Sequence, residues 1–493
     1  MNDLERHFAP FRAQTVGNDT SFTTPYGEQR LVYADWTASG RLYRPIETAV
    51  AERFGPYVGN THSESSVTGT AMTLAYHEAH ARIKRHVNAG PDDLVLTHGA
   101  GMTGAVNKLQ RMLGLKAPEG LRRFVTLKVE ERPVVFVTHL EHHSNQTSWY
   151  ETIAEVVVLP PDAEGLVDLA ALDEALARYQ DRPLKIGAFS ACSNVTGAMT
   201  PYHEMARRVH RAGGIVVVDF AASAPYVGID MHPAGDPEAT LDAIVFSPHK
   251  FLGGPGSSGV LVFNKSLYHN TVPDEAGGGT VAWTNPWGQY AFLEDIEARE
   301  DAGTPGFLQA IRAALAVQLK DAMTVEAMQQ REREIVDYAM DRLTAMPGVH
   351  VLAPSVRHRL AIFSFYIEEL HYNLVVRLLN DRFGVQARGG CSCAGTYGHY
   401  LLHVDPTRSK AITDRIDQGD LSEKPGWVRI SFHPTTLMDD VRYTLDAVEQ
   451  IARNGAAWAA DYEYSPRTNE FVHRTATAGL RETVADWYAG ALG

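Results

Sequence analysis

Phe246-Ser247-Pro248-His249-Lys250-Phe251-Leu252-Gly253-Gly254-Pro255-Gly256 is the stretch on which the reading of the chain turns. The apolar run Leu241 to Phe246 reads as a short buried strand, and a Gly/Pro-rich loop follows it. A lysine fixed at such a strand end has a use that a solvated surface lysine lacks: its amine can condense with an aldehyde to form a Schiff base. Alone, the stretch also fits an ordinary surface lysine. The rest of the chain has to supply a site around it.

Working outward, other short apolar runs end in polar residues in the same way. Leu94 to Thr97 reads as a strand, followed by His98-Gly99-Ala100-Gly101-Met102-Thr103 and a helix with Val106, Leu109, Met112 and Leu113 on one face. A strand, a Gly-rich turn and a helix put free backbone N–H groups and the positive end of a helix dipole where a phosphate can bind. Neither the P-loop nor the dinucleotide glycine pattern is present. Val134 to Thr138 delivers Glu141-His142-His143-Ser144-Asn145, and Lys185 to Ser190 delivers Cys192-Ser193-Asn194. The β-branched run from Ile215 to Val218 ends in Asp219. Strands alternating with helices predict an α/β fold with a largely parallel sheet covered on both faces. Ligands bind beyond the carboxyl ends of such strands. Thr103, His142, Asn194, Asp219 and Lys250 all lie at or just after those ends, so five polar groups converge on one edge.

The bulk properties narrow the class. The chain has 493 residues, 44% hydrophobic and 21% charged, which suits a soluble protein of a large and a smaller domain. A net charge of −14 argues against nucleic acid or an anionic membrane as the main partner. Three cysteines, Cys192, Cys391 and Cys393, are too few for a disulfide framework, so a reducing, cytoplasmic setting is expected. Cys391-Ser392-Cys393 lacks zinc-knuckle spacing, and no metal is expected. Neither a signal peptide nor a membrane-spanning run is visible. From residue 346 the pattern changes to α+β. The expected divisions are an N-terminal segment, 1–30, packing with the small domain, a large domain, 31–345, a small domain, 346–463, and a tail, 464–493. One long helix is expected from about 305 to 345. Residues 117–133 read as a charged insertion, and 396–426 as a long polar loop.

Taken together, the motifs resemble those of the class V aminotransferase group of pyridoxal-phosphate enzymes. The cysteine desulfurase and selenocysteine lyase branch is most similar, and the N-terminal domain of molybdenum cofactor sulfurases is next. The resemblance covers roughly residues 30–455 and rests on Glu141 to Asn145, Ser193-Asn194-Val195-Thr196-Gly197, Val217-Val218-Asp219, Ser247-Pro248-His249-Lys250, the glycine run to Thr280, and Arg388-Gly389-Gly390-Cys391-Ser392-Cys393. It implies fold type I: a mainly parallel seven-stranded sheet between helices, with a smaller α+β domain. Pyridoxal 5'-phosphate is then the expected cofactor, with Lys250 as its covalent anchor and Asp219 paired with its pyridine nitrogen. His142 would stack on the ring and shuttle protons, with His143 as the competing candidate and a structural role favoured for it. Asn194 would hydrogen-bond the phenolic oxygen, and the backbone at Met102, with Thr103, Ser247 and His249, would hold the phosphate. Thr280 would reach the phosphate of a neighbouring subunit, which implies a homodimer with shared sites.

Arg429, with Arg388 as second candidate, would hold the substrate carboxylate, because a guanidinium binds a carboxylate at two points. Cys393 would attack the substrate sulfur and carry it as a persulfide, with Cys391 two residues earlier and Cys192 structural. The expected activity is desulfuration of cysteine, or of a related C–S or C–Se amino acid, to alanine, with a sulfur-acceptor protein as a partner. Desulfurases usually carry a glutamine three residues after the pyridine aspartate, and here that position is Ala222. Ser223 is a candidate replacement donor. A second expectation therefore stands beside the first: another class V reaction, such as transamination, epimerisation or β-elimination, with Cys393 dispensable. A third is a non-catalytic sulfur-relay or assembly partner.

Overall fold

A computed structural model describes residues 3–61, 64–475 and 479–491. The large sheet has seven strands: β1 (Asp93–His98), β2 (Val134–Thr138), β3 (Glu155–Leu159), β4 (Lys185–Ser190), β5 (Ile215–Asp219), β6 (Ala243–Phe246) and β7 (Gly259–Asn264), in the spatial order β1-β7-β6-β5-β4-β2-β3. Only β7 runs antiparallel, against both β1 and β6. Strands β2, β4 and β6 are buried along their whole length, as a parallel sheet covered by helices on both faces requires. The carboxyl ends of β1, β2, β4, β5 and β6 therefore open on one edge.

The smaller sheet consists of β8 (Val349–Val351), β9 (Ile362–Ile367), β10 (Arg388–Gly390) and β11 (Trp427–Ser431), ordered β8-β9-β11-β10 and antiparallel throughout. It has its own core, which includes Phe363, Phe365, Leu378, Val428, Ile430 and Val448. Val32–Tyr33 pairs in parallel with Val385–Gln386, and Asp35 bridges to Ser431. The chain near residue 35 is thus held against the small sheet while it crosses to the large one.

Two segments differ from the sequence reading. The long helix is two, Phe307–Met323 and Val325–Ala345, broken at Thr324, where φ is 59°. The first helix buries Ala313, Ala316 and Val317 in the large core, whereas the second gives Ile335, Val336, Ala339, Met340 and Leu343 to the small one. No glycine or proline marks the break, because the change of partner is tertiary. The expected loop at 396–426 contains helices Gly395–Leu401 and Pro406–Asp417. The second has no buried residue, so it lacks the apolar stripe that reveals a helix. Its start is nevertheless signalled by Asp405, whose carboxylate accepts from the N–H groups of Thr407 and Arg408, with Pro406 at the first helical position.

Candidate active site

The first wall of the site is built where β1 turns into the helix Met102–Met112. Gly101 precedes that helix, and a Cβ there would lie 3.0 Å from Ser247 Oγ and 3.5 Å from the His249 ring. A Cβ on Gly259 would come within 2.2 Å of the Gly101 carbonyl oxygen. Glycine thus lets β7 and the helix start close up. The Met102 N–H donates to Ser247 Oγ at 2.8 Å, and the Thr103 and Ser144 hydroxyls share a 2.7 Å hydrogen bond. Burial, with Lys250 adding to it, pushes the His249 pKa down to about 4, so its ring is neutral near pH 7.

The second wall carries the charged pair. Lys250 ends a short turn, Pro248–Lys250, directly after β6. The chain from Ala38 to Arg41 clamps this turn: Gly40 donates to the His249 carbonyl at 2.9 Å, and Gly253 donates to that of Arg41 at 2.7 Å. A Cβ on Gly40 would sit 1.9 Å from the Phe251 carbonyl oxygen, so no larger residue fits. Burial lowers the Lys250 pKa to about 8; Asp219 opposes the shift, while Arg429 and Arg388 add to it. Burial raises the Asp219 carboxyl to about 7 against the Ala221 N–H, which it accepts at 2.7 Å, and against Lys250. His142 caps the helix His143–Tyr150, its Nδ1 accepting from the Ser144 N–H at 3.1 Å. Its neutral ring therefore carries the proton on Nε2. Burial first, then Lys250, holds its pKa near 3.

Beneath these residues lies Glu141, for which sequence reasoning gave no role. It is buried and accepts from the hydroxyls of Thr138 and Ser190, both at 2.6 Å, and from the Asn145 amide at 2.8 Å. It ties the ends of β2 and β4 to the helix bearing His142.

The third wall comes from the small domain. Arg388 and Arg429 are directly paired across β10 and β11. Asp35 bridges them: Oδ1 accepts from Arg429 at 3.0 Å and Oδ2 from Arg388 at 3.1 Å. Arg429 also donates to the Asn194 carbonyl at 2.9 Å, and its Nε has no partner among the described residues. Asp35 was missed, although it closes the strand-like run that starts at Leu31; nothing local marks its two partners. Asn194 lines the site, its Nδ2 donating to the Ser392 carbonyl at 2.7 Å while its Oδ1 has no partner among the described residues.

After β10, Ser392 and Cys393 both take left-handed backbone angles, φ 51° and 56°. Cys393 is exposed on the wall, whereas Cys391 packs against the large core and does not line the site. Cys192 does line it, but its thiol donates to the Gly197 carbonyl at 3.2 Å, and burial pushes its pKa far up.

Met102, Thr103, His142, Asn194, Asp219, Ser247, His249, Lys250, Arg388, Cys393 and Arg429 thus surround one cavity of about 220 Å³. Thr37, Ala38, Ser144 and Ala221 also line it, and Ala222 lies on its wall. Four sequence candidates, Thr280, Ser223, Cys391 and His143, stand outside. Thr280 is buried and closes a turn onto the Gly277 carbonyl at 2.7 Å. Ser223 is buried without a hydrogen-bond partner among the described residues and does not line the cavity.

A family model described as aminotransferase class V matches residues 32–443. Among curated relatives, the probable cysteine desulfurase 2 of Mycobacterium leprae is 29% identical over 398 residues, 80% of this chain and 90% of the relative. The probable cysteine desulfurase of Halalkalibacterium halodurans is 28% identical over 369 residues, 74% of this chain and 84% of the relative. Among solved structures, an apo cysteine desulfurase from Thermococcus onnurineus NA1 superposes with a TM-score of 0.71 at 20% identity, over 90% of this chain and 98% of that one. The Escherichia coli cysteine desulfurase CsdA gives 0.68 at 23% identity, with coverage of 90% and 98%. At these identities the solved structures speak for the fold: an α/β large domain with a seven-stranded sheet and a small α+β domain.

Proposed function

The chain belongs to the class V aminotransferase family, and from that premise we propose that it is a pyridoxal-phosphate-dependent cysteine desulfurase. The observation that carries the reading is that Lys250 and Cys393, delivered by different domains, line one cavity with Asp219 and two paired arginines.

The residues present fit the cofactor. The helix start at Met102 and Thr103, with the Ser247 hydroxyl and the His249 ring, is a donor set for a phosphate. Asp219 would pair with a pyridine nitrogen, and Lys250 Nζ would take the aldehyde carbon. Four buried polar atoms on wall residues, Thr37 Oγ1, Asn194 Oδ1, Ser392 Oγ and Arg429 Nε, have no partner among the described residues, as expected of a site built for a polar guest. When bound, pyridoxal phosphate supplies an electron sink for the bond broken at the substrate Cα.

The chain's own groups do the rest. Arg429, held by Asp35, binds the amino acid carboxylate, and Arg388 supports it. Lys250 Nζ, with its pKa near 8, is poised to take and return the Cα proton near neutral pH. His142, neutral with its proton on Nε2, is a donor beside it. Cys393 accepts the substrate sulfur as a persulfide, alanine leaves, and an acceptor protein collects the sulfur at the exposed thiol. A homodimer in the cytoplasm completes the reading, with Thr280 serving the neighbouring subunit. The hairpin after Thr280, Val281–Thr284 with Tyr290–Phe292, exposes Trp283, Trp287 and Tyr290, as a subunit-facing element would.

Purified protein incubated with a panel of amino acids, following alanine, sulfide and keto-acid release together, tests the reading. Alanine and sulfur from cysteine in equal amounts, lost in Cys393→Ala, are expected. Keto-acid formation that survives Cys393→Ala would instead favour another class V reaction, the reading that Ala222 on the wall keeps in play.

A further inference from the structure

The adjacent histidines of Glu141-His142-His143 do different things. His142 lines the cavity. His143 is the first residue of its helix and touches the cysteine loop twice. Its backbone N–H donates to the Cys393 carbonyl at 2.7 Å, and its ring Nε2 accepts the Gly395 N–H at 2.9 Å. One residue of the large domain thus holds the loop at Cys393 itself and again two residues further on.

The loop needs such a hold. Consecutive left-handed residues other than glycine persist only where the surroundings impose them, and Ser392 and Cys393 are such a pair. Other contacts continue the docking. Thr396 donates to Gln146 Oε1 at 2.9 Å, and Asn194 to the Ser392 carbonyl at 2.7 Å. Gly395 suits the close approach, since a Cβ there would lie 3.2 Å from His143 Nε2. Burial lowers the His143 pKa, which keeps the ring neutral and Nε2 free to accept.

We propose that His143 is a positioning residue for sulfur transfer: it fixes the Cys393 loop against the cavity wall without itself touching substrate or cofactor. This rests on the desulfurase reading, but the tether can be tested apart from it. In the full-chain holoenzyme, His143→Ala removes the ring acceptor. Hydrogen exchange in the peptide spanning 393–398 is then expected to quicken about tenfold. Alanine formation from cysteine is expected to fall about 10- to 100-fold, with KM and the visible cofactor absorption unchanged. His143→Gln, whose Oε1 lies as many bonds from Cβ as Nε2 does, restores the exchange protection and most of the turnover. A role in folding alone would give no such rescue and would move KM and absorption as well. Unchanged exchange in His143→Ala overturns the tether whether or not the protein turns over cysteine. Quickened exchange with undiminished turnover overturns the positioning role. Absence of cysteine turnover in the unaltered protein sinks the desulfurase reading and with it the role in sulfur transfer, while the exchange arm still decides the tether.

Discussion

The floor of the cavity and its cysteine-bearing rim are built in opposite ways. The floor hangs on strand ends: Asp219 closes β5, Lys250 follows β6 by a single turn, and Glu141 bolts β2 to β4 beneath His142. Its groups are fixed by a buried sheet. The rim is a short stretch after β10 that holds Ser392 and Cys393 at angles L-residues avoid, costing roughly 1–2 kcal/mol each. Contacts from the other domain, above all from His143 and Asn194, offset that cost. Under the proposed function the difference has a use: a covalent anchor must not move, whereas a thiol that takes sulfur and passes it on needs a position that can be released.

The comparison breaks most completely at Lys250. Lys250→Ala should abolish the visible absorption of the loaded protein and lower turnover by roughly 10³-fold or more, since both the anchor and a proton carrier go. Cys393→Ala attacks the rim and should leave the floor intact. Absorption persists, while persulfide on the protein disappears and alanine formation drops on the order of 10²-fold. Mass spectrometry of the protein after reaction with cysteine reads the difference directly. Equal loss of cofactor in both variants would erase the distinction between floor and rim.

Asp35 joins the two regions, and its removal should be milder. Asp35→Ala strips the buried Arg429 of its carboxylate partner. A loss of about 3 kcal/mol in stability is expected, together with a KM for cysteine raised about tenfold and a smaller change in kcat. Thermal unfolding and steady-state kinetics separate the two effects.

The floor also predicts a pH dependence. Lys250 Nζ attacks an aldehyde only as the neutral amine, and its pKa is about 8, below the ordinary lysine value. For protein stripped of cofactor, capture of added pyridoxal phosphate should quicken about tenfold per pH unit up to about pH 8 and then level off. Arg429 helps to lower that pKa, so in Arg429→Met the limb should move to higher pH. Stopped-flow absorbance reads both limbs.

Legibility in the sequence follows the same divide. Asp219 and Lys250 were readable because one ends a buried apolar run and the other follows one by a single turn, and the end of a parallel strand has only one place to be. The phosphate-type turn was readable from Gly99 and Gly101 ahead of an amphipathic helix. The rim was readable only as composition: glycines around two cysteines. What sets Cys393 apart from Cys391, the tether by His143, joins residues some 250 positions apart and leaves no local trace. Asp35 is farther still from Arg429, 394 positions away. The helix Pro406–Asp417 was missed because a helix that buries no residue carries too weak an apolar stripe, although its Asp405-Pro406 start signal was there to read.

The finest test of the rim is Ser392→Gly. Glycine adopts φ near 51° freely, which relieves roughly 1–2 kcal/mol of backbone strain. It also removes a buried hydroxyl that has no partner among the described residues. Against this, glycine enlarges the freedom of the unfolded chain, at a cost of about 0.4–1 kcal/mol. The gains exceed the loss by about 1 kcal/mol, which for a protein of this size is a rise in Tm of only a degree or two. Turnover should nevertheless fall, by about two- to threefold, because the strain that defines the Cys393 geometry relaxes with it. Calorimetry and alanine release measured on the same sample decide the point. A variant that is both more stable and equally fast would mean that the left-handed pair is incidental, and that the tether from His143 holds a loop that needed no holding.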